Sequence, residues 1–245
     1  MKKTIKHVLS LSPLAVYEFY RDKKKHIKKV KNQKKIIENY IKNNEIKRLQ
    51  IGCGSNFLED WLNTDLNDSN KIAFLDAGDV FPIESDSFDF IYSEHLFEHL
   101  KINQQINMLA ESFRILKKGG IMRIATPNLD FLFKLYSESQ SIDHIAYVEY
   151  AINSSPYLNS VKTSVVDKEE HYNYVINNFF KAWGHQMIHN FSSIKKLARQ
   201  CNFTSVRKCE VGESEVLFLR NIEKHGTIIP VKINLIETMV VEIIK

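Results

Sequence analysis

Cysteine is scarce in this chain: Cys53, Cys201 and Cys209 are its only three, far apart and without a C-x-x-C pair. That spacing excludes a disulfide framework and a zinc knuckle, and it fits a reduced, cytoplasmic compartment. Long apolar runs are missing too; each is short and broken by charge, so the sequence predicts no membrane span. The first lysines precede neither an uninterrupted apolar core nor a small-residue cleavage site, so a chain that stays inside the cell is expected. There is no internal repeat. What is there is a globular composition, 44% hydrophobic and 26% charged over 245 residues, enough for one large core with additions.

Charge is unevenly spread. Residues 1 to 48 hold 15 Lys+Arg against 4 Asp+Glu, a net +11, while the rest of the chain carries −6. Within that segment Ile27, Val30, Ile36, Ile37, Tyr40 and Ile41 recur near a helical period with lysines around them, which predicts a basic helical extension over residues 1–46. Such an extension serves either as a solvated flank or as a patch for an anionic surface: a peripheral membrane contact through residues 1–48, or a polyanionic glycan. No nucleic acid is expected, because aromatic interleaving and a recognition-helix pattern are both absent.

From residue 47 onward the pattern alternates. "RLQIGC" (48–53), "WLNTDL" (61–66), "KIAFLDA" (71–77), "FDFIYS" (88–93) and "IMRIATP" (121–127) read as short strands. Between the last two, Ile106, Met108, Leu109, Phe113, Ile115 and Leu116 follow helical spacing, with Gly119 and Gly120 as the stop. Strands alternating with helices predict an α/β fold with a parallel sheet, whose ligands bind outside the carboxyl ends of the strands. Residues 134–190, too long and aromatic for a simple connection, predict a helical insertion over the resulting crevice. A helix follows at 191–201 with Ser192 or Ser193 as cap, then a strand "FTSVRKCEV", and "INLIETMVVEIIK" as a final strand.

The turn after the first strand carries Gly52, Cys53 and Gly54. The third glycine of a dinucleotide fingerprint is missing, and so is a G-K-[ST], which excludes a P-loop. Asp65, eleven residues after Gly54 at the end of the second strand, suits a ribose diol, so a nucleoside without a required pyrophosphate is indicated. His95, just past the fourth strand and with an ordinary pKa near neutrality, is the candidate general base. His95, Glu98 and His99 also spell H-x-x-E-H, the inverted zinc-protease signature. That reading requires an unbroken helix and leaves the glycine turn and both strand-end aspartates unexplained, so the match is taken as accidental and no metal is expected. His185 and His189, with Trp183 and Tyr174, are expected to wall an acceptor pocket.

Four blocks in this order, "LQIGCGSNFLEDWLNTDL", "FLDAGDVFPIESDSFDFIYSEHLFEHL", "ESFRILKKGGIMRIATPNLDFL" and "LARQCNFTSVRKCEVGES", resemble class I S-adenosylmethionine-dependent methyltransferases. The likeness is greatest to a bacterial branch of the type 11 kind with I-G-C-G, L-D-A and S-E-H-x-x-E-H blocks. It implies a Rossmann-like seven-stranded sheet in order 3-2-1-4-5-7-6 with the last strand antiparallel, helices on both faces, and a methyltransferase domain over 47–245. It implies S-adenosylmethionine as cofactor: Gly52, Cys53 and Gly54 beside the methionine part, Asp65 and Leu66 by the ribose, Asp76 and Ala77 by the adenine, and Ser93 and Glu94 with His95 near the sulfonium. The branch implies a small-molecule or glycan acceptor, with O-methylation of a sugar in polysaccharide biosynthesis. The sequence departs from the family at Asn56 and at Asn202, where glycines are usual; the second is expected to be a tolerated left-handed turn. A methyltransferase-like module that binds without catalysing is the alternative, and a zinc hydrolase a remote one.

Overall fold

The computed structural model describes residues 13–69, 71–138, 141–163 and 170–245; the expectations for residues 1–12 lie outside them. The chain opens with helix α1 (Pro13–Asn43) and proceeds through β1 (Arg48–Ile51), β2 (Leu62–Asp65), β3 (Ala73–Phe74) and β4 (Phe88–Glu94). Then come α2 (Ile102–Ile115), β5 (Leu116–Pro127), α3 (Leu129–Ser137), α4 (Ile142–Ser154), α5 (Asn159–Thr163), α6 (His171–Lys181) and α7 (Phe191–Gln200). The chain finishes with β6 (Ser205–Cys209), α8 (Val231–Glu237) and β7 (Thr238–Ile244).

The seven strands form one sheet in order β3-β2-β1-β4-β5-β7-β6. The first five pair in parallel, and β7 runs antiparallel between β5 and β6. Consecutive burial of Leu49, Gln50 and Ile51 marks β1 as a central strand covered on both faces. Because β1 to β5 are parallel, their carboxyl ends share one edge, and the order reverses direction between β1 and β4, which opens a crevice there. Antiparallel β7 brings its amino end to the same edge, with Thr238 opposite Pro127, so the end of α8 arrives beside the crevice.

Two cores divide the molecule. The larger joins the sheet to its helices through residues such as Leu49, Ile91, Phe97, Met108, Met122 and Val241. The smaller lies in the helical insertion around Phe131, Leu135, Tyr147, Val175 and Phe179, and takes Ile233 from α8. Helix α1 is bound to the domain rather than loose beside it: Ile37 is buried, Ile36, Tyr40 and Ile41 pack on the main core, Gln33 bonds the Phe74 carbonyl, and the Tyr40 hydroxyl donates to Asp60 O at 2.9 Å.

Four local expectations are corrected. Gly119 and Gly120 do not stop a helix; α2 ends at Ile115, and both glycines lie in β5. There the register against β4 shifts between Phe88 and Phe90, Gly119 takes φ +78°, and a Cβ on Gly120 would sit 2.9 Å from the Lys117 carbonyl. The cap of α7 is Asn190, whose side chain accepts from Ser193 N while the Ser193 side chain bonds back to Asn190 N. "INLIE" is helix α8, not strand; it places Ile233, Asn234 and Glu237 inward at helical spacing. The third strand is only two residues long. Asn202 does adopt a left-handed conformation, φ +70°.

Candidate active site

The glycine turn is built by the strand ends around it. Gly52 N and Cys53 N both donate to Thr64 O at 2.9 Å, folding the chain back over the end of β2. Gly52 has φ +71°, which favours glycine, and a Cβ there would lie 2.8 Å from the end of the Leu96 side chain, which would have to move aside. Gly54, at φ +52°, faces open space, and its N–H donates to Asp65 Oδ2 at 3.0 Å. The other oxygen, Oδ1, accepts from Asn67 N at 2.9 Å. Asp65 therefore fastens the turn while retaining lone pairs on a half-exposed carboxylate.

Asp76 follows β3 and accepts from Gly78 N at 2.8 Å through Oδ1; Ala77 beside it is buried. Phe57, Leu66 and Val80, in the loops after β1, β2 and β3, are exposed apolar side chains at this edge of the sheet. At the end of β4, Ser93 is buried with no partner for its Oγ.

His95 breaks the strand. Its φ is +47°, a conformation uncommon outside glycine, while its N–H still bonds Ala125 O at 2.9 Å. Nδ1–H donates to Glu98 Oε1 at 3.0 Å, and the other oxygen of fully buried Glu98 accepts from Thr126 Oγ1 at 2.9 Å. Nε2 is buried and unpartnered. The ring of His225 lies over the imidazole, centroids 3.9 Å apart, and is itself bonded to Glu237, which also takes the Tyr147 hydroxyl. Among the described residues the turn after β4 is a short 3-10 helix, Phe97–His99, so H-x-x-E-H does not display two histidines along one α-helical face, as the inverted protease signature requires.

Strand order, the reversal between β1 and β4, and the acidic strand ends define one known architecture, and residues 60–124, about a quarter of the chain, match the family described as methyltransferase domain. The sheet is that of the class I S-adenosylmethionine-dependent methyltransferase fold, and residues 60–124 are similar to that domain family. Solved structures similar to it include a SAM-dependent methyltransferase from Archaeoglobus fulgidus, 17% identical, covering 94% of this chain and 99% of that one with a TM-score of 0.49. A second, from Mesorhizobium loti, is 12% identical over 82% of this chain and 91% of that one, TM-score 0.45. Rickettsia typhi PKMT2 in complex with AdoHcy is 13% identical over 81% of this chain and 48% of that one, TM-score 0.42. No curated protein matches the sequence.

S-adenosylmethionine is the cofactor of such a domain, and the residues present fit it. Gly54 leaves its turn open, Asp65 and Asp76 keep acceptor capacity for hydroxyl and amino groups, and exposed Leu66 and Val80 offer apolar cover for a purine. Burial, then the charge of Asp65, push the Cys53 thiol up to about 11, so it stays protonated.

The remaining sequence candidates fare differently. Glu94 is engaged by the protein itself: its carboxylate accepts from Lys224 N and His225 N at 2.9–3.0 Å, tying the 224–227 segment to the end of β4. His189 is no pocket wall; it is 4% exposed, packs on Phe97, and pairs both ring nitrogens, with Ser193 Oγ and Gln105 Oε1, each at 2.9 Å. Tyr174 lines a cavity of about 570 Å³ in the insertion with Tyr157, Asn173, Asn177 and Lys181. Trp183 packs edge-on against Tyr157 with centroids 5.6 Å apart, and His185 follows it at 5.7 Å. Sequence reasoning placed Thr126 at the crevice as a strand-end residue but missed His225, Glu237 and Tyr147; nothing in their local pattern marks them, because each arrives from a different element.

Proposed function

We propose that this protein is a methyltransferase that moves the methyl group of S-adenosylmethionine to a hydroxyl of a sugar or glycan intermediate. The observation that carries the reading is the His95–Glu98–Thr126 chain at the carboxyl end of β4, with an unpartnered Nε2 at its tip, beside the glycine turn and Asp65. Bound there, the cofactor supplies a methyl group already activated on sulfur. Glu98 accepts the Nδ1–H of His95 and so fixes the tautomer whose Nε2 lone pair takes the acceptor's hydroxyl proton. Preference for a sugar is supported by the insertion cavity, where Tyr157 and Tyr174 offer ring faces and Asn173, Asn177 and Lys181 offer polar groups.

The experiment is calorimetry with S-adenosylhomocysteine, followed by transfer of labelled methyl to a panel of sugar acceptors. The wild-type chain binds, and Asp65→Ala binds about 10- to 150-fold more weakly, the worth of a charge-assisted hydrogen bond of about 1.5–3 kcal/mol. Unchanged affinity in Asp65→Ala removes that residue from the site. A wild-type chain that does not bind the cofactor product favours the non-catalytic module.

We further propose that the basic N-terminal helix brings the protein to an anionic membrane surface. Tyr17 is exposed on α1 and by helical geometry shares the side opposite Gln33 and Tyr40 with exposed Lys24, Lys31 and Lys35, with exposed Ile27 and Lys34 at the edge of that side. No described helix is long and apolar enough to cross a membrane. The chain is expected to co-sediment with vesicles containing phosphatidylserine but not with pure phosphatidylcholine. Replacing Lys24, Lys31 and Lys34 by alanine is expected to weaken this by about 1 kcal/mol per lysine. Equal binding to both vesicles, or salt-sensitive binding to nucleic acid alone, refutes it.

A further inference from the structure

We propose that Glu98, His99 and His185 form a binding site for a divalent transition-metal ion of the zinc class. One ligand atom from each of the three residues lies within 4.8 Å of the other two. Around a tetrahedral zinc with bonds of about 2.0–2.1 Å, donors stand roughly 3.3 Å apart, so rotation of two imidazoles closes the set. This trio differs from the H-x-x-E-H signature. His95 is not a ligand, and the third donor comes from the distant insertion.

Two of the three donors are already oriented from behind, as metal ligands are. Nδ1–H of His185 donates to the Phe179 carbonyl at 2.6 Å, which leaves Nε2 with its lone pair free. Glu98 is held by His95 and Thr126 through one lone pair on each oxygen, and a carboxylate has about four such positions. The rings of His99 and His185 meet edge to face, centroids 4.9 Å apart.

The backbone is bent to bring His185 in. Trp183 and Gly184 are consecutive left-handed residues, φ +55° and +81°, and the first is a costly conformation for a bulky side chain. Directly after the turn, Gln186 N and Met187 N donate to the carbonyl of Glu98 itself, at 2.8 and 3.2 Å. The histidine loop is thus fastened to the backbone of one ligand, which holds His185 close to the other two donors before any ion enters. Two histidines and one glutamate leave a fourth position for an oxygen donor, as in catalytic zinc sites. The ion also staples the insertion to the turn after β4. None of this depends on the methyl-transfer reading.

The test is titration of the purified full-length chain with Co²⁺, read by visible absorption, with Zn²⁺ competition and melting temperature as second readouts. One Co²⁺ is expected to bind with the intense bands of a four-coordinate site, to be displaced by Zn²⁺, and Zn²⁺ is expected to raise the melting temperature. His99→Ala and His185→Ala are each expected to weaken binding by at least about tenfold, and the pair together to abolish it; His171→Ala, outside the cluster, leaves it unchanged. His185→Gln, which keeps most of the side-chain volume, replaces His185→Ala should the latter fail to fold. Absence of stoichiometric binding by the wild-type chain overturns the proposal. So does a weak six-coordinate spectrum, or binding that survives loss of both histidines.

Discussion

Substituting His95 by asparagine is expected to slow methyl transfer by about 10² to 10⁴-fold, the usual worth of a general base, with little change in S-adenosylhomocysteine affinity. Asparagine is the right replacement because it tolerates the left-handed backbone at φ +47°, where alanine adds strain. Burial alone would lower the His95 pKa, but the bond to Glu98 and the charges of Glu98, Glu237 and Glu94 outweigh it, and the value stands above the ordinary 6.5. The base works deprotonated, so the rate is expected to rise with pH through that raised value. In Glu98→Gln the acid limb moves to lower pH.

Stability runs the other way across the same window. A pKa raised by folding means that the His95–Glu98 pair contributes fully below pH 6.5 and loses its contribution as pH rises through the raised value. Burial raises the Glu98 pKa and His95 lowers it more, so its share is present above the ordinary 4.5 and is lost as pH falls through its depressed value. Under the proposed reading the protein is therefore expected to gain turnover as it gives up part of this pair's stabilisation. A pH–rate profile for wild type, His95→Asn and Glu98→Gln, with the acceptor found by screening, decides it. Wild-type turnover in His95→Asn would show that positioning alone drives the reaction.

What the sequence made legible was whatever short-range chemistry specifies. Gly52 and Gly54 had to be glycines for reasons of φ, and Asp65 sits where the parallel β-α pattern ends a strand, so both were readable from spacing. Boundaries failed where tertiary contacts overrule local pattern. Gly119 and Gly120 look like a helix stop but serve a strand irregularity, and the Ile-rich C-terminal stretch looks like strand throughout although its first half packs Ile233 against the insertion core. The histidines show the same limit. His185 and His189 share an i, i+4 spacing, yet no described helix spans them; one turns toward His99 and the other into the core against Phe97. Glu94 reads like a cofactor residue because it ends β4, but Lys224 and His225 arrive from 130 residues further along the chain and take its carboxylate.

Replacing Arg123 by methionine is expected to destabilise the protein by about 3–5 kcal/mol, the cost of leaving a buried ion pair with one partner missing. Arg123 lies in the middle of β5 and is 0% exposed, its Nε bonded to Glu223 at 2.6 Å and Nη1 to Glu242 on β7 at 2.8 Å and to the Glu213 carbonyl at 2.9 Å. Glu242 is also fully buried and keeps a second cation, Arg207 on β6, at 2.5 Å, so the larger uncompensated charge after the substitution is Glu223. At roughly 2–4 °C per kcal/mol for a chain of this size, the melting temperature should fall by about 6–20 °C. Adding Glu223→Gln should recover part of it, because a buried amide costs less than a buried charge. A fall of under about 1 kcal/mol would show that water reaches the pair and screens it. The consequence extends to the site: Glu223 precedes Lys224 and His225, whose backbone N–H groups hold Glu94 and whose imidazole, that of His225, lies over His95. Arg123→Met with its fold retained should therefore loosen that cover, and hydrogen exchange of residues 223–227 should rise before that of the central strands.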